Sequence, residues 1–192
     1  MGRWLLDTGV VVVFQRGSAL DALELAATDG LVVVEEVFDE LTGRLRAPKD
    51  LDARERTSHA RSFLTRVCDV VSVTPGSAAD SRREALRKGR SSTRADFGED
   101  VSVAWAMEHD DVALVTNDER AVGRALRELP GRVRMTHELM LRIIELHPTA
   151  APAMRSLAEA AARALEDKAG WGSSCPLWWT DRVAELVQRT RP

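Results

Sequence analysis

Five short apolar runs, rich in β-branched residues and separated by longer stretches of helical periodicity, constrain this chain more than any other feature. They are Arg3 to Leu6, Leu31 to Val34, Asp69 to Thr74, Val112 to Thr116 and Val133 to Met135. Each is brief and mostly apolar, the pattern of a strand covered on both faces. Between them, Ser18 is placed to cap a helix that runs towards Gly30, with Leu20, Leu23, Ala26 and Ala27 as its apolar stripe. Further helices are expected over Glu35 to Leu41, Leu51 to Val67, Ser77 to Lys88, Glu99 to His109 and Arg120 to Leu129. Thr136 is placed to cap another from Glu138 to His147, stopped by Pro148. Strand and helix in alternation predict an α/β fold, a parallel-sheet sandwich with helices on both faces.

Past Pro148 the composition shifts. Ala150 to Ala169 is alanine-rich and helical, a loop follows, and Trp178-Trp179 lead into a last short helix from Asp181 to Gln188. The expected organisation is an α/β domain over residues 1–147 and a helical C-terminal extension over 148–192. Trp171, Trp178 and Trp179 are read first as packing residues of that extension, and as a base-stacking or interface patch second.

The chain has 192 residues, of which 44% are hydrophobic and 30% charged, which excludes a disordered polymer and suffices for a full domain core. Its formal net charge is -3, so charge alone does not announce a nucleic-acid partner. Arginine nevertheless outnumbers lysine heavily, and many arginines fall between Arg54 and Arg94. Arg90 and Arg94 are candidate phosphate contacts, with a solvated basic loop as the plainer reading. Cys68 and Cys175 lie far apart and match neither a zinc pattern nor a disulfide framework. The apolar stretch from Trp4 to Phe14 is broken by Asp7 and is too short to span a bilayer. A cytoplasmic protein without a membrane partner is expected.

The chemistry lies in acids that follow the expected strands, because sites in open α/β sheets form at the carboxyl ends of strands. Asp7 follows Trp4-Leu5-Leu6, Glu35, Glu36, Asp39 and Glu40 follow the second run, and Asn117-Asp118-Glu119 follow the fourth. Glu99 and Asp100 open a helix. Each has a plain alternative. Asp7 can start a turn, Asp118 can cap a helix, and acids in a first turn stabilise the helix dipole. Glu36 and Glu40, four apart, share a helix face, so one can be functional and the other solvated. Gathered at one rim, such acids repel each other and must take up protons or a cation. Oxygen-only ligands favour a hard ion, Mg²⁺ or Mn²⁺. The four histidines, His59, His109, His137 and His147, share no motif and read as surface or packing residues.

Leu5-Leu6-Asp7-Thr8-Gly9, Asp39-Glu40-Leu41, Asp100-Val101-Ser102-Val103-Ala104 and Val115-Thr116-Asn117-Asp118 resemble, in this order, the motifs of the PIN domain family. The resemblance covers roughly Met1 to His147. It implies a five-stranded parallel sheet, a four-acid metal site of Asp7, Glu40, Asp100 and Asp118, and Mg²⁺- or Mn²⁺-dependent ribonuclease activity. Many members are toxins of the VapC type, which implies an RNA substrate, an antitoxin partner and a homodimer. Some relatives use the glutamate of a Gly-Glu pair as the third acid, and Gly98-Glu99 fits that form, so Glu99 and Asp100 both stand as candidates. Asp7, Asp100 or Glu99, and Asp118 are the expected metal ligands, with Glu40 orienting or deprotonating a water. Thr8 and Thr116 are expected to hold the aspartates by their hydroxyls.

This chain departs from the pattern at two places. Gly9 stands where asparagine is common, and Arg120 stands where a further acid often follows, for which Asn117 or Glu119 could compensate. A non-catalytic PIN-like scaffold with a degraded metal site is therefore the alternative. A haloacid-dehalogenase-type phosphotransferase needs a second aspartate at position 9, and a receiver domain needs a late lysine and an acid pair before Asp7. Neither pattern is present.

Overall fold

The computed structural model describes residues 2–45, 47–88 and 97–166, together with residue 188. Arg90, Arg94, Trp171, Cys175, Trp178, Trp179 and all but the last residue of the expected helix from Asp181 to Gln188 lie outside these residues, as do the side chains of Glu119 and Arg120. The chain runs β1 (Arg3–Leu6), α1 (Thr8–Arg16), α2 (Leu20–Glu24), β2 (Leu31–Val34), α3 (Glu35–Leu41), α4 (Leu51–Val67) and β3 (Cys68–Val71). It continues with α5 (Ala78–Arg87), α6 (Phe97–Met107), β4 (Val112–Val115), α7 (Glu119–Glu128), β5 (Val133–Arg134), α8 (Thr136–Leu146) and α9 (Ala151–Glu166). Short 3₁₀ turns cover Leu25–Asp29 and Pro148–Ala150.

The strands form one five-stranded sheet in the order β3-β2-β1-β4-β5, every pair parallel. From β1 the chain moves outward through β2 to β3, then returns past β1 to β4 and β5. Right-handed crossovers, the hand such connections take, put the helices of these two halves on opposite faces. The strand interiors agree. All four residues of β2 are buried, as are Trp4, Leu5 and Leu6 of β1 and Val112, Leu114 and Val115 of β4. Edge strand β3 leaves Asp69 and Val70 exposed, and a charge there blunts edge-to-edge pairing.

Helix α1 is the main departure from the expected elements. Val10 to Val13 form a β-branched run that reads as strand. Yet Asp7 caps a helix there, its carboxylate accepting from the Thr8 N–H at 2.8 Å. Helix propensity opposes this by at most about 0.7 kcal/mol per valine. Full burial of Val10, Val11, Val13 and Phe14 contributes about 1.5–3 kcal/mol each, so packing wins. The helix stops at Gly17, where Leu157 of α9 approaches the bare backbone so closely that a methyl group would meet its Cδ1 at 2.1 Å. Met154, Leu157, Ala158 and Ala161 of α9 thus join the same apolar core as the sheet.

Smaller differences have local causes. Ser18 takes a left-handed conformation with φ 52° and does not cap, so α2 starts one residue later, at Leu20, and tightens into the 3₁₀ turn. Thr136 is the first residue of α8 rather than its cap. Strand β3 ends at Val71, short of the expected Thr74. Among the described residues, no helix is long and apolar enough to cross a membrane.

Candidate functional site

The sheet order reverses at β1 and β4, and their carboxyl ends open the crevice where ligands bind in such sheets. Register carries Asp7 into it. Leu6 pairs with Val115, so the next residues out, Asp7 and Thr116, are neighbours, and the Asp7 N–H donates to the Val115 carbonyl at 3.1 Å. Helices α1, α3, α7 and α8 each begin within a few residues of a strand's carboxyl end, so their N-termini stand on this rim. Helix α6 descends to β4 through a four-residue turn, which returns its own N-terminus to the same rim. The rim thus collects the positive ends of these five helices, each favouring an acid.

Thr116 is fully buried and its hydroxyl joins two of the acids. It donates to Asp7 Oδ2 at 2.8 Å and accepts from the Asp118 N–H at 3.2 Å. Asp118 in turn caps α7, its Oδ1 accepting from the Ala121 N–H at 3.2 Å. Thr8 behaves differently from expectation. Its hydroxyl donates to Glu40 Oε2 at 2.8 Å rather than to an aspartate, and only its backbone serves Asp7. That bond bridges α1 and α3 and aims the exposed Glu40 at the Asp7 end of the crevice.

Asp7 is the strained charge of the group. Protein packed around its carboxyl pushes its pKa up to about 6, against the help of the Thr116 hydroxyl and the Thr8 N–H. Glu40 and Asp118 push it further in the same direction through their own charges. Those interactions place Glu40 and Asp118 each within electrostatic reach of Asp7.

Glu99 and Asp100 are brought to the rim but are held by another partner. Arg124, in the second turn of α7, places Nη1 2.6 Å from Asp100 Oδ1 and 2.8 Å from Glu99 Oε1. Asp100 and Arg124 have only 4% and 13% of their side chains exposed, so this is an interior ion pair. Arg124 carries no sequence signal of its own, because the contact joins two helices across 24 positions. Asn117 also goes elsewhere. Its Nδ2 donates to Thr136 Oγ1 at 2.6 Å and its Oδ1 accepts from the Thr136 N–H at 3.1 Å, which ties the end of β4 to the start of α8. Glu36 is half-buried on α3, its Oε2 makes no hydrogen bond, and burial raises its pKa.

The donor set at Asp7, Glu40 and Asp118 is oxygen only, which suits a hard divalent cation such as Mg²⁺ or Mn²⁺. Such a cation would also relieve the repulsion acting on Asp7. Among the described residues, no three His, Cys, Asp or Glu side chains form a ready-made metal cage. Mg²⁺ commonly takes one or two carboxylates and fills its shell with water and substrate phosphate. A separate cleft of about 360 Å³, lined by Gln15, Leu20, His59, Ser62, Phe63 and Arg66 among others, lies against α1, α2 and α4, away from these acids. Comparison of the chain with family models, with curated proteins and with solved structures returns no match.

Proposed function

We propose that this chain is a Mg²⁺- or Mn²⁺-dependent endoribonuclease of the PIN-like type, working at the rim formed by Asp7, Glu40 and Asp118. One observation carries the reading: Asp7 is held at the switch point of a parallel sheet by a buried hydroxyl, in the repulsive field of two more carboxylates. A fold that merely needed a helix cap there would not gather like charges around it.

In this reading Asp7 and Asp118 would hold the cation, and one Thr116 hydroxyl orients the Asp7 carboxylate and anchors the Asp118 backbone. The bound ion would acidify a water and offset charge on the phosphate in the transition state. Glu40, oriented by Thr8, accepts a proton from the attacking water. The N-termini of α1 and α7 direct backbone dipoles at the substrate phosphate. RNA is the substrate proposed. An antitoxin and a second copy of the chain are the partners proposed from the family resemblance.

A non-catalytic scaffold is the second reading, and the Arg124 ion pair favours it, since Glu99 and Asp100 already share a protein counter-ion. Cleavage of a labelled RNA in millimolar Mg²⁺ separates the two. Wild type is expected to cut and Asp7→Asn to lose at least about 1000-fold, roughly 4 kcal/mol of transition-state stabilisation. Equal cleavage by both proteins rejects the assignment of Asp7. Absence of cleavage together with absence of Mn²⁺ binding at millimolar concentration establishes the scaffold.

A further inference from the structure

Arg124 is the one guanidinium on the described rim that contacts two of the expected acids, and a single nitrogen serves both. An interior arginine shared by two carboxylates resists removal, because losing it leaves buried negative charge without its counter-ion. Its position is set by α7, the helix that Asp118 caps, so the guanidinium and Asp118 are carried by the same helix.

We propose that Arg124 is an internal cation that competes with a divalent metal ion for Asp100 and Glu99, and so restricts the rim to one ion held from the Asp7 and Asp118 side. The proposal rests on the metal-dependent reading above and refines it. Both acids keep Arg124 when the ion binds, because two cations cannot share one carboxylate pair at close range without repelling each other. Wild-type affinity for the ion is lower than four acids alone would give, because ligand charge sets the affinity of oxygen-ligand sites.

The test is a calorimetric titration with Mn²⁺ of wild type, Arg124→Gln and Asp7→Asn, each checked for folding by circular dichroism. Arg124→Gln is expected to bind Mn²⁺ roughly tenfold more tightly than wild type, or to take up a second ion, because Asp100 and Glu99 become available. If Arg124→Gln does not fold, the double variant Arg124→Gln/Glu99→Gln removes one charge of each sign and takes Arg124 off the Asp100 carboxylate, and the same gain is expected of it. Unchanged affinity and stoichiometry in the folded variant overturns the proposal, and so does weaker binding, which would make Arg124 a support of the site. These outcomes differ from failure of the underlying reading, in which neither wild type nor Arg124→Gln binds Mn²⁺ at all.

Discussion

Asp29 and Asp111 at one rim of the sheet and Asp7 at the other are treated in opposite ways. At the amino-terminal rim three aspartates that precede strands lie against arginines. Asp111 pairs with Arg3 at 2.9 Å, and Asp29 with Arg142 at 3.0 Å, while Asp110 lies 3.7 Å from Arg132. Arg3 and Arg142 hold the Asp111 and Asp29 carboxyls below their ordinary range. At the carboxyl-terminal rim Asp7 receives a hydroxyl, a backbone N–H and two further carboxylates, and its pKa rises to about 6. The chain has arginines to spare, so the second arrangement is not forced by composition. Acids paired with cations secure a fold. An acid held among other acids costs stability, and that cost is retained where a cation or a phosphate is to be bound.

The largest effect expected to sharpen this contrast is the loss of RNA cleavage in Asp7→Asn. The pH dependence of stability comes next. The folded protein holds the Asp7 proton up to about pH 6, whereas the unfolded chain releases it near the ordinary value of 3.8. Between those values the folded state binds more protons, so stability falls as pH rises, by roughly 2–3 kcal/mol, and the loss persists at higher pH. Asparagine keeps the cap and the Thr116 contact without the charge. Asp7→Asn is therefore expected to unfold at higher urea concentration than wild type at pH 8, with the difference vanishing near pH 4. A destabilised Asp7→Asn at pH 8 breaks the comparison.

Thr116→Val keeps the volume and removes the hydroxyl. It is expected to cost about 1 kcal/mol in urea unfolding, to raise the Asp7 pKa further and to slow cleavage roughly tenfold. On the opposite rim, Asp111→Asn removes an ion pair with substantial exposure on both partners and is expected to cost about 0.5 kcal/mol at low salt, with cleavage unchanged. A cleavage defect in Asp111→Asn as large as that of Thr116→Val would erase the distinction between the rims.

Much of the fold was legible because burial on both faces leaves a plain mark. Arg3–Leu6, Leu31–Val34, Glu35–Leu41 and Leu51–Val67 lie where periodicity places them. Helix α1 was not legible, since four valines in a row carry a strand signal that only the Asp7 cap and tertiary packing reverse. The placement of acids after strands was readable from the α/β alternation. Their individual partners were not. Thr8 reaches Glu40 over 32 positions, and Arg124 reaches Asp100 across two helices. Contacts of that kind depend on how helices are rotated about their axes, which a local pattern does not encode. Asn117 shows the same limit, since its motif position suggests a metal-site role while its amide closes on Thr136.

If the charge on Asp7 is disfavoured until a divalent ion arrives, the carboxyl itself reports this. Its titration by carbon-13 NMR, with and without millimolar Mg²⁺, is the most direct measurement. A midpoint near pH 6 is expected in the absence of the ion and a midpoint well below that in its presence. The same midpoint under both conditions contradicts that expectation.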